Sequence, residues 1–238
     1  MKLNYGECEI TYLFNSGFII ETKSFVLLID YYKSDKKINF DKFNSKKIYI
    51  LVSHDHSDHF NPEIFNLNNL NNPTYILDKN IDYRSSFKII EVSEDENYVI
   101  NEYFKLKTFG STDRGVSFFI SIEGLNIFHS GDLNWWKWKA DSVEQQEKEE
   151  KDYKSEINKL RSFSFDIAFV PVDPRLEENY DLAVKYFAKK INAKVIIPMH
   201  FRDKVNPVEV LENSWSNLNF ESNLVLIKNS GEKFLYKK

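Results

Sequence analysis

Apolar residues fall into short blocks along the first third of the chain, and each block closes on turn chemistry. Glu9 to Phe14, Phe18 to Thr22 and Phe25 to Ile29 are rich in β-branched and aromatic side chains, with Asn15-Ser16-Gly17 and Lys23-Ser24 between them. This pattern predicts three consecutive strands, the third ending at Asp30. A polar segment, Lys33 to Lys47, precedes a fourth strand, Ile48 to Val52. Asn61-Pro62 predicts a helix start, because proline is preorganised for the first helical turn. Further strands are expected at Thr74 to Leu77, Lys88 to Val92 and Tyr98 to Leu106. Val116 to Ile122 and Leu125 to Phe128 then predict a hairpin around Glu123-Gly124.

Beyond Trp138 the period lengthens. Ser142-x-x-Gln145 resembles a capping box, Glu144/Lys148, Glu147/Lys151 and Glu150/Lys154 have helical spacing, and Tyr153, Ile157 and Leu160 form an inner side. Phe165 to Val172 reads as a buried strand that runs into Asp173-Pro174-Arg175. Leu182, Ala183, Tyr186 and Phe187 repeat as a helix, and Val195 to Met199 forms another strand, ending at His200. Asn206-Pro207 caps a last helix, and Asn223 to Lys228 and Lys233 to Tyr236 close the chain as strands. Two halves, each of strands followed by helices, suit a duplicated β-sandwich within one domain spanning residues 1–238.

With 42% apolar residues, the chain can fill a large core, which excludes disorder. A net charge of -4 offers no basic footprint, so nucleic acid is an unfavoured partner. A single cysteine, Cys8, cannot form an internal disulfide, and neither a leader segment nor a membrane span stands out. A cytoplasmic location is the expectation.

Chemistry concentrates in Ser53-His54-Asp55-His56-Ser57-Asp58-His59, directly after the fourth strand. Several imidazoles and carboxylates in one pocket compete for too few partners unless a cation joins them. His54, His56 and Asp58 alternate and so project to one side of an extended backbone, while His59 reaches a second position. With no cysteine nearby, imidazole and carboxylate suit zinc, manganese or iron. The remaining histidines, His129 and His200, also stand at strand ends, and Asp132 follows Gly131, which permits close backbone approach. Asp30 has two readings, a turn-initiating carboxylate or an acceptor that orients a ligand histidine. The tryptophans at 135, 136 and 138 are read as a core plug, or as one wall of a substrate pocket.

His54-x-His56-x-Asp58-His59, followed by Gly131-Asp132 and Pro198-Met199-His200, resembles the metallo-β-lactamase superfamily of metal-dependent hydrolases. Within it, the short length, Phe128-His129-Ser130-Gly131-Asp132 and Ile197-Pro198-Met199-His200 look most like the branch containing ascorbate-6-phosphate lactonase. The resemblance implies an α/β (α+β) fold, a four-layer αββα sandwich with one or two divalent ions, zinc first, at the edge of the sheets. It implies that His54 and His56 hold one ion, that Asp58, His59 and His200 hold the other, and that Asp132 bridges them. Relatives commonly add a histidine after the central strands, whereas this chain has Gly110-Ser111-Thr112-Asp113-Arg114-Gly115. Water or Asp113 would replace it, or the first ion would be weakly held. His129 is read as a supporting residue rather than the substitute ligand.

The activity implied is hydrolysis of a small ester, lactone or phosphoester, with Asp58 orienting the nucleophile or moving its proton. Arg114, Arg175 and Arg202 stand near the site-forming loops and would grip an anionic small-molecule substrate, surface arginine being the plainer reading of each. Two alternatives remain: a phosphodiesterase acting on nucleic acid, and a non-catalytic metal-binding sensor on the same scaffold.

Overall fold

A computed structural model describes residues 2–35, 38–67, 70–83 and 86–238. Its strands form two seven-stranded sheets with the same internal plan. In the first, β14 (Lys233–Lys237), β1 (Glu7–Phe14), β2 (Gly17–Glu21) and β3 (Phe25–Ile29) are antiparallel neighbours. From β3 the sheet continues in parallel through β4 (Lys47–Val52), β5 (Thr74–Asp78) and β6 (Lys88–Val92). The second sheet repeats the change of direction. β7 (Asn97–Asn101), β8 (Phe104–Phe109), β9 (Ser117–Ile122) and β10 (Leu125–His129) form an antiparallel meander. β11 (Ser164–Pro171), β12 (Asn192–Met199) and β13 (Asn223–Leu224) then add in parallel.

Parallel neighbours need long crossovers, and these differ between the halves. In the second half they carry α1 (Val143–Lys159), α2 (Leu182–Lys190) and α3 (Asn206–Trp215). In the first half the described residues form no α-helix, and the expected helix at Asn61-Pro62 is a 3-10 turn, Pro62–Asn66. That turn and a second, Phe40–Phe43, place Phe40, Phe43 and Ile64 over the outer face of β3 and β4. Two residues of the polar segment Lys33 to Lys47, at 36 and 37, lie outside the described residues.

Tyr98 to Leu106 is two strands rather than one, because the Asn101 side chain accepts the Tyr103 N–H at 2.9 Å and reverses the chain. The last parallel strand is also shorter than expected, at Asn223–Leu224. Of the helical pairs, Glu150–Lys154 forms while Lys148 turns to Asp152. Ser142 caps α1 through the Gln145 N–H, but the Gln145 side chain binds Glu149, so only one arm of the box is made.

The main core lies between the sheets, with Leu27, Ile29 and Leu51 facing Ile127, Ile167 and Phe169. Val26, Leu28, Ile50 and Val52 face the other way, beneath the 3-10 turns. Burial on both faces accounts for the unbroken apolar runs of β3 and β4. Five of the parallel-region strands, β3, β4, β10, β11 and β12, end along one edge, where Asp30, the His54 loop, Asp132, Asp173 and His200 follow them. Open sheets of this kind expose their sites beyond the carboxyl ends of the strands.

Candidate metal centre

The loop after β4 is held from beneath by Asp30. Its Oδ1 accepts the Ser53 backbone N–H at 2.8 Å, and its Oδ2 accepts the Ser53 hydroxyl at 2.7 Å and His59 Nδ1 at 2.8 Å. A carboxylate only accepts, so both hydrogens are assigned. The Ser53 oxygen can then accept from His54 Nδ1, 3.0 Å away. Both imidazoles therefore turn Nε2 inward, where it becomes a donor atom for a cation once its proton is displaced. In the second half, Asp173 Oδ2 lies 3.1 Å from His200 Nδ1 and leaves Nε2 of that ring free in the same way. Each half thus contributes an aspartate, just after a parallel strand, that fixes a histidine tautomer.

These rings converge on Asp132. Its Oδ1 lies 2.9 Å from His59 Nε2 and 3.3 Å from His200 Nε2, and its Oδ2 lies 3.4 Å from His54 Nε2 and 4.0 Å from His56 Nδ1. Asp58 Oδ2 is 3.5 Å from His200 Nε2, and Asp113 Oδ2 is 3.5 Å from His56 Nδ1. Among the described residues, candidate ligand atoms gather within 4.8 Å in three sets: His54, His59 and Asp132; Asp58, His59 and His200; and His56, Asp113 and Asp132. His54 thus groups with His59, and His56 groups with Asp113, in the turn that lacks the histidine.

Two glycines permit this closeness. A Cβ on Gly115, whose φ is +66°, would lie 1.9 Å from the Ser53 carbonyl oxygen. On Gly131, with φ +55°, it would meet Val116 O at 2.8 Å and Ser53 Cβ at 2.9 Å.

Charge is unbalanced in the pocket. Burial opposes an imidazolium at both His59 and His200, yet Asp132 and Asp30 push the His59 pKa well above the ordinary value, and Asp132 with Asp173 and Asp58 raises that of His200. Burial likewise opposes ionisation of Asp132, but His59 and His200 hold it well below the carboxylate range. Protons on the histidines thus serve as the countercharge to several buried carboxylates. Even so, His54 Nε2, His59 Nε2, His200 Nε2 and Asp132 Oδ1 are buried and make no hydrogen bond, the 2.9 Å approach of His59 to Asp132 being an ion pair without hydrogen-bond geometry. Orphaned polar atoms cost about 1–3 kcal/mol each. Divalent cations bound among these sets would satisfy the four atoms and replace the protons as countercharge, so the residues fit such metals.

The profile of the beta-lactamase superfamily domain matches residues 9–200. The chain belongs to the beta-lactamase superfamily. No curated protein matches it in sequence. Among solved structures of the metallo-β-lactamase fold it is similar to Igni18, a metallo hydrolase from Ignicoccus hospitalis, at 13% identity and TM-score 0.70, over 98% of this chain and 99% of that one. It is also similar to a metal-dependent hydrolase candidate from Parabacteroides distasonis, at 16% identity and TM-score 0.65, over 96% and 97%. CmlA, a diiron β-hydroxylase from Streptomyces venezuelae, matches at 9% identity and TM-score 0.62, over 99% of this chain and 55% of CmlA.

Within this beta-lactamase superfamily chain, His129 has no free lone pair. Its Nε2 donates to the Ser16 carbonyl at 3.0 Å and its Nδ1 accepts the Gly131 N–H at 3.2 Å, which steadies the turn leading to Asp132. Burial, which outweighs the nearby Asp30 carboxylate, lowers its pKa and keeps the ring neutral.

The arginines separate. Arg202 donates to Asp58 Oδ2 at 2.8 Å. Arg175 is paired with Asp173 and lies 5.6 Å from the Trp138 ring centre. Although burial works against ionisation of Asp173, His200 and Arg175 bring its pKa down to about 2. Arg114 pairs with Asp55 on the exposed rim.

The tryptophans divide between the two readings made of them. Trp135 stacks on Tyr153 in the core, whereas Trp136 sets its edge against the His200 ring at 5.8 Å and stacks with half-buried Trp138. Sequence reasoning passed over Ser53, Asp173 and Asn15. Asp173 carried a signal, since it follows β11 as Asp30 follows β3.

Proposed function

We propose that the protein is a metal-dependent hydrolase of a small ester, lactone or phosphoester. The observation that carries this reading is the convergence of four buried ligand atoms that make no hydrogen bond, drawn from both halves of the chain. In this reading Asp58, His59 and His200 hold one ion, His54 and His56 with Asp113 hold a second, and Asp132 is shared. Zinc suits the donor set best, with manganese and iron as alternatives. An ion so held supplies Lewis acidity and lowers the pKa of water.

The chain's own groups do the rest. Burial opposes the charge on Asp58, but His200 and His59 hold its pKa far below the usual range. That makes it a steady acceptor that orients a water O–H, and a poor store for a proton. Trp136 and Trp138 wall the His200 side and keep bulk water from it. Arg202, and Arg175 beside Trp138, stand where an anionic group of a small substrate would lie. A lactone substrate rests on the sequence resemblance alone. Binding without turnover is the second reading. It is favoured by the open half of the centre, since His56 and Asp113 side chains are 35% and 40% exposed.

The test is metal analysis of purified protein with a panel of chromogenic esters, lactones and phosphoesters, beside His59→Ala. Retained zinc, manganese or iron with turnover lost in the variant supports hydrolysis. Metal without any turnover supports the sensor, and full activity without metal refutes both.

A further inference from the structure

The turn joining β1 to β2 presents a buried amide to the centre. Asn15 is fully buried and left-handed, with φ 56°. Its backbone N–H donates to the Tyr12 hydroxyl at 2.9 Å, and its carbonyl accepts the His200 N–H at 3.1 Å. Its side-chain Nδ2 donates to Asp58 Oδ2 at 3.2 Å, while Oδ1 is buried without a partner. The amide's orientation is forced, because the opposite assignment would set its oxygen against the carboxylate oxygen.

A turn alone does not need this side chain. Glycine adopts the same backbone without burying a half-satisfied amide, which costs about 1–3 kcal/mol. What the amide gains is contact with Asp58. The other donor to Asp58 Oδ2 is Arg202, whose side chain is 42% exposed, on a long flexible stem. Asn15, by contrast, is pinned through both backbone groups, one of them to His200 itself. Such a donor, fixed between two groups of the same set, holds a carboxylate at one rotation.

We propose that Asn15 is a positioning residue: its amide sets the rotation of the Asp58 carboxylate toward His59 and His200, and so sets the affinity of that half of the centre for its ion. The proposal rests on the reading of Asp58 as a ligand, and the two can fail separately.

Cobalt(II) is titrated into metal-free wild-type protein, Asp58→Ala, Asn15→Gly and Asn15→Asp. Affinity is read by competition with a chelator, coordination by the visible absorption of the bound ion, and folding by the melting temperature of the metal-free form. Glycine and aspartate both tolerate the left-handed backbone, so neither variant strains the turn. The expected result is a fall in affinity of about 10- to 100-fold in Asn15→Gly, as for other residues that orient metal ligands. A changed absorption spectrum is expected in both Asn15 variants, with melting of the metal-free forms within a few degrees of wild type. Wild-type affinity and spectrum in both variants would overturn the proposal, as would affinity losses accompanied in both by collapse of the metal-free fold. Unchanged affinity in Asp58→Ala, or no uptake by wild type, would overturn the reading beneath it.

Discussion

Asp132→Asn is the substitution that most directly probes the charge balance of the centre, since the asparagine keeps the shape and removes the shared charge. In metal-free protein the His59–Asp132 pair, 2.9 Å apart and buried, loses one partner. Breaking such a pair costs about 3–5 kcal/mol. For a chain of this size each kcal/mol moves melting by about 2–4 °C, so the variant should melt about 6–12 °C lower at the lower cost. The sign with pH follows from both shifts. The raised His59 pKa contributes stability fully below the ordinary 6.5 and loses it as pH climbs through the folded value. The depressed Asp132 pKa contributes above the ordinary 3.8 and loses it on acidification through the folded value. The gap between wild type and variant is therefore widest between these two ordinary values and closes toward alkaline pH. Added metal gives the second readout. At a concentration 100-fold above the dissociation constant, an ion stabilises wild type by about 2.7 kcal/mol. If the substitution weakens affinity about 100-fold, the same concentration contributes only about 0.4 kcal/mol. Differential scanning fluorimetry with chelator or zinc, from pH 5 to 9, measures both effects. A zinc-induced shift in Asp132→Asn equal to that of wild type would refute the assignment of Asp132 as a shared ligand.

Metal uptake should release protons near neutral pH, because the raised pKa values of His59, His200 and His56 leave protons that coordination must displace. Titration calorimetry in buffers of different ionisation enthalpy detects this, and an enthalpy independent of buffer would exclude it. Asp113→Ala should lower the metal bound per chain by removing a ligand of the ion proposed at His56, while changing metal-free melting by under about 2 °C, its side chain being 40% exposed; unchanged stoichiometry by elemental analysis would remove Asp113 from the ligand set. Trp135→Ala should cost about 3–5 kcal/mol in chemical denaturation as a buried core aromatic, whereas Trp138→Ala should cost under about 1 kcal/mol and raise KM for an active substrate. Equal destabilisation by the two would mean that Trp138 belongs to the core plug as well.

Periodicity located most strands because each strand reports its own burial, two faces for β3 and β4 and one for β1. It failed where a single local contact decided the outcome. The Asx turn at Asn101 cut one apolar run into two strands, and Asn61-Pro62 began a 3-10 turn. A helix-start signal fixes the first turn and says nothing about how far the helix continues.

The donor types were legible for a different reason. Five histidines confined to three strand ends, with Asp58 and Asp132, are written in the chain whatever its packing. Which atoms face one another is not, since that depends on segments far apart in sequence meeting along one edge of two sheets. Packing alone brought Asp113 beside His56, grouped His54 with His59 and tied both nitrogens of His129 to the backbone. Packing also turned the amide of Asn15, a residue that reads in sequence as an ordinary turn former, onto a carboxylate forty-three positions away. The sequence by itself determined the chemistry available to this protein, because ligand identity and strand period are local properties. The tertiary structure decided the pairing of donors and the tautomer of each imidazole, because hydrogen-bond direction is set only by what lies across the interface.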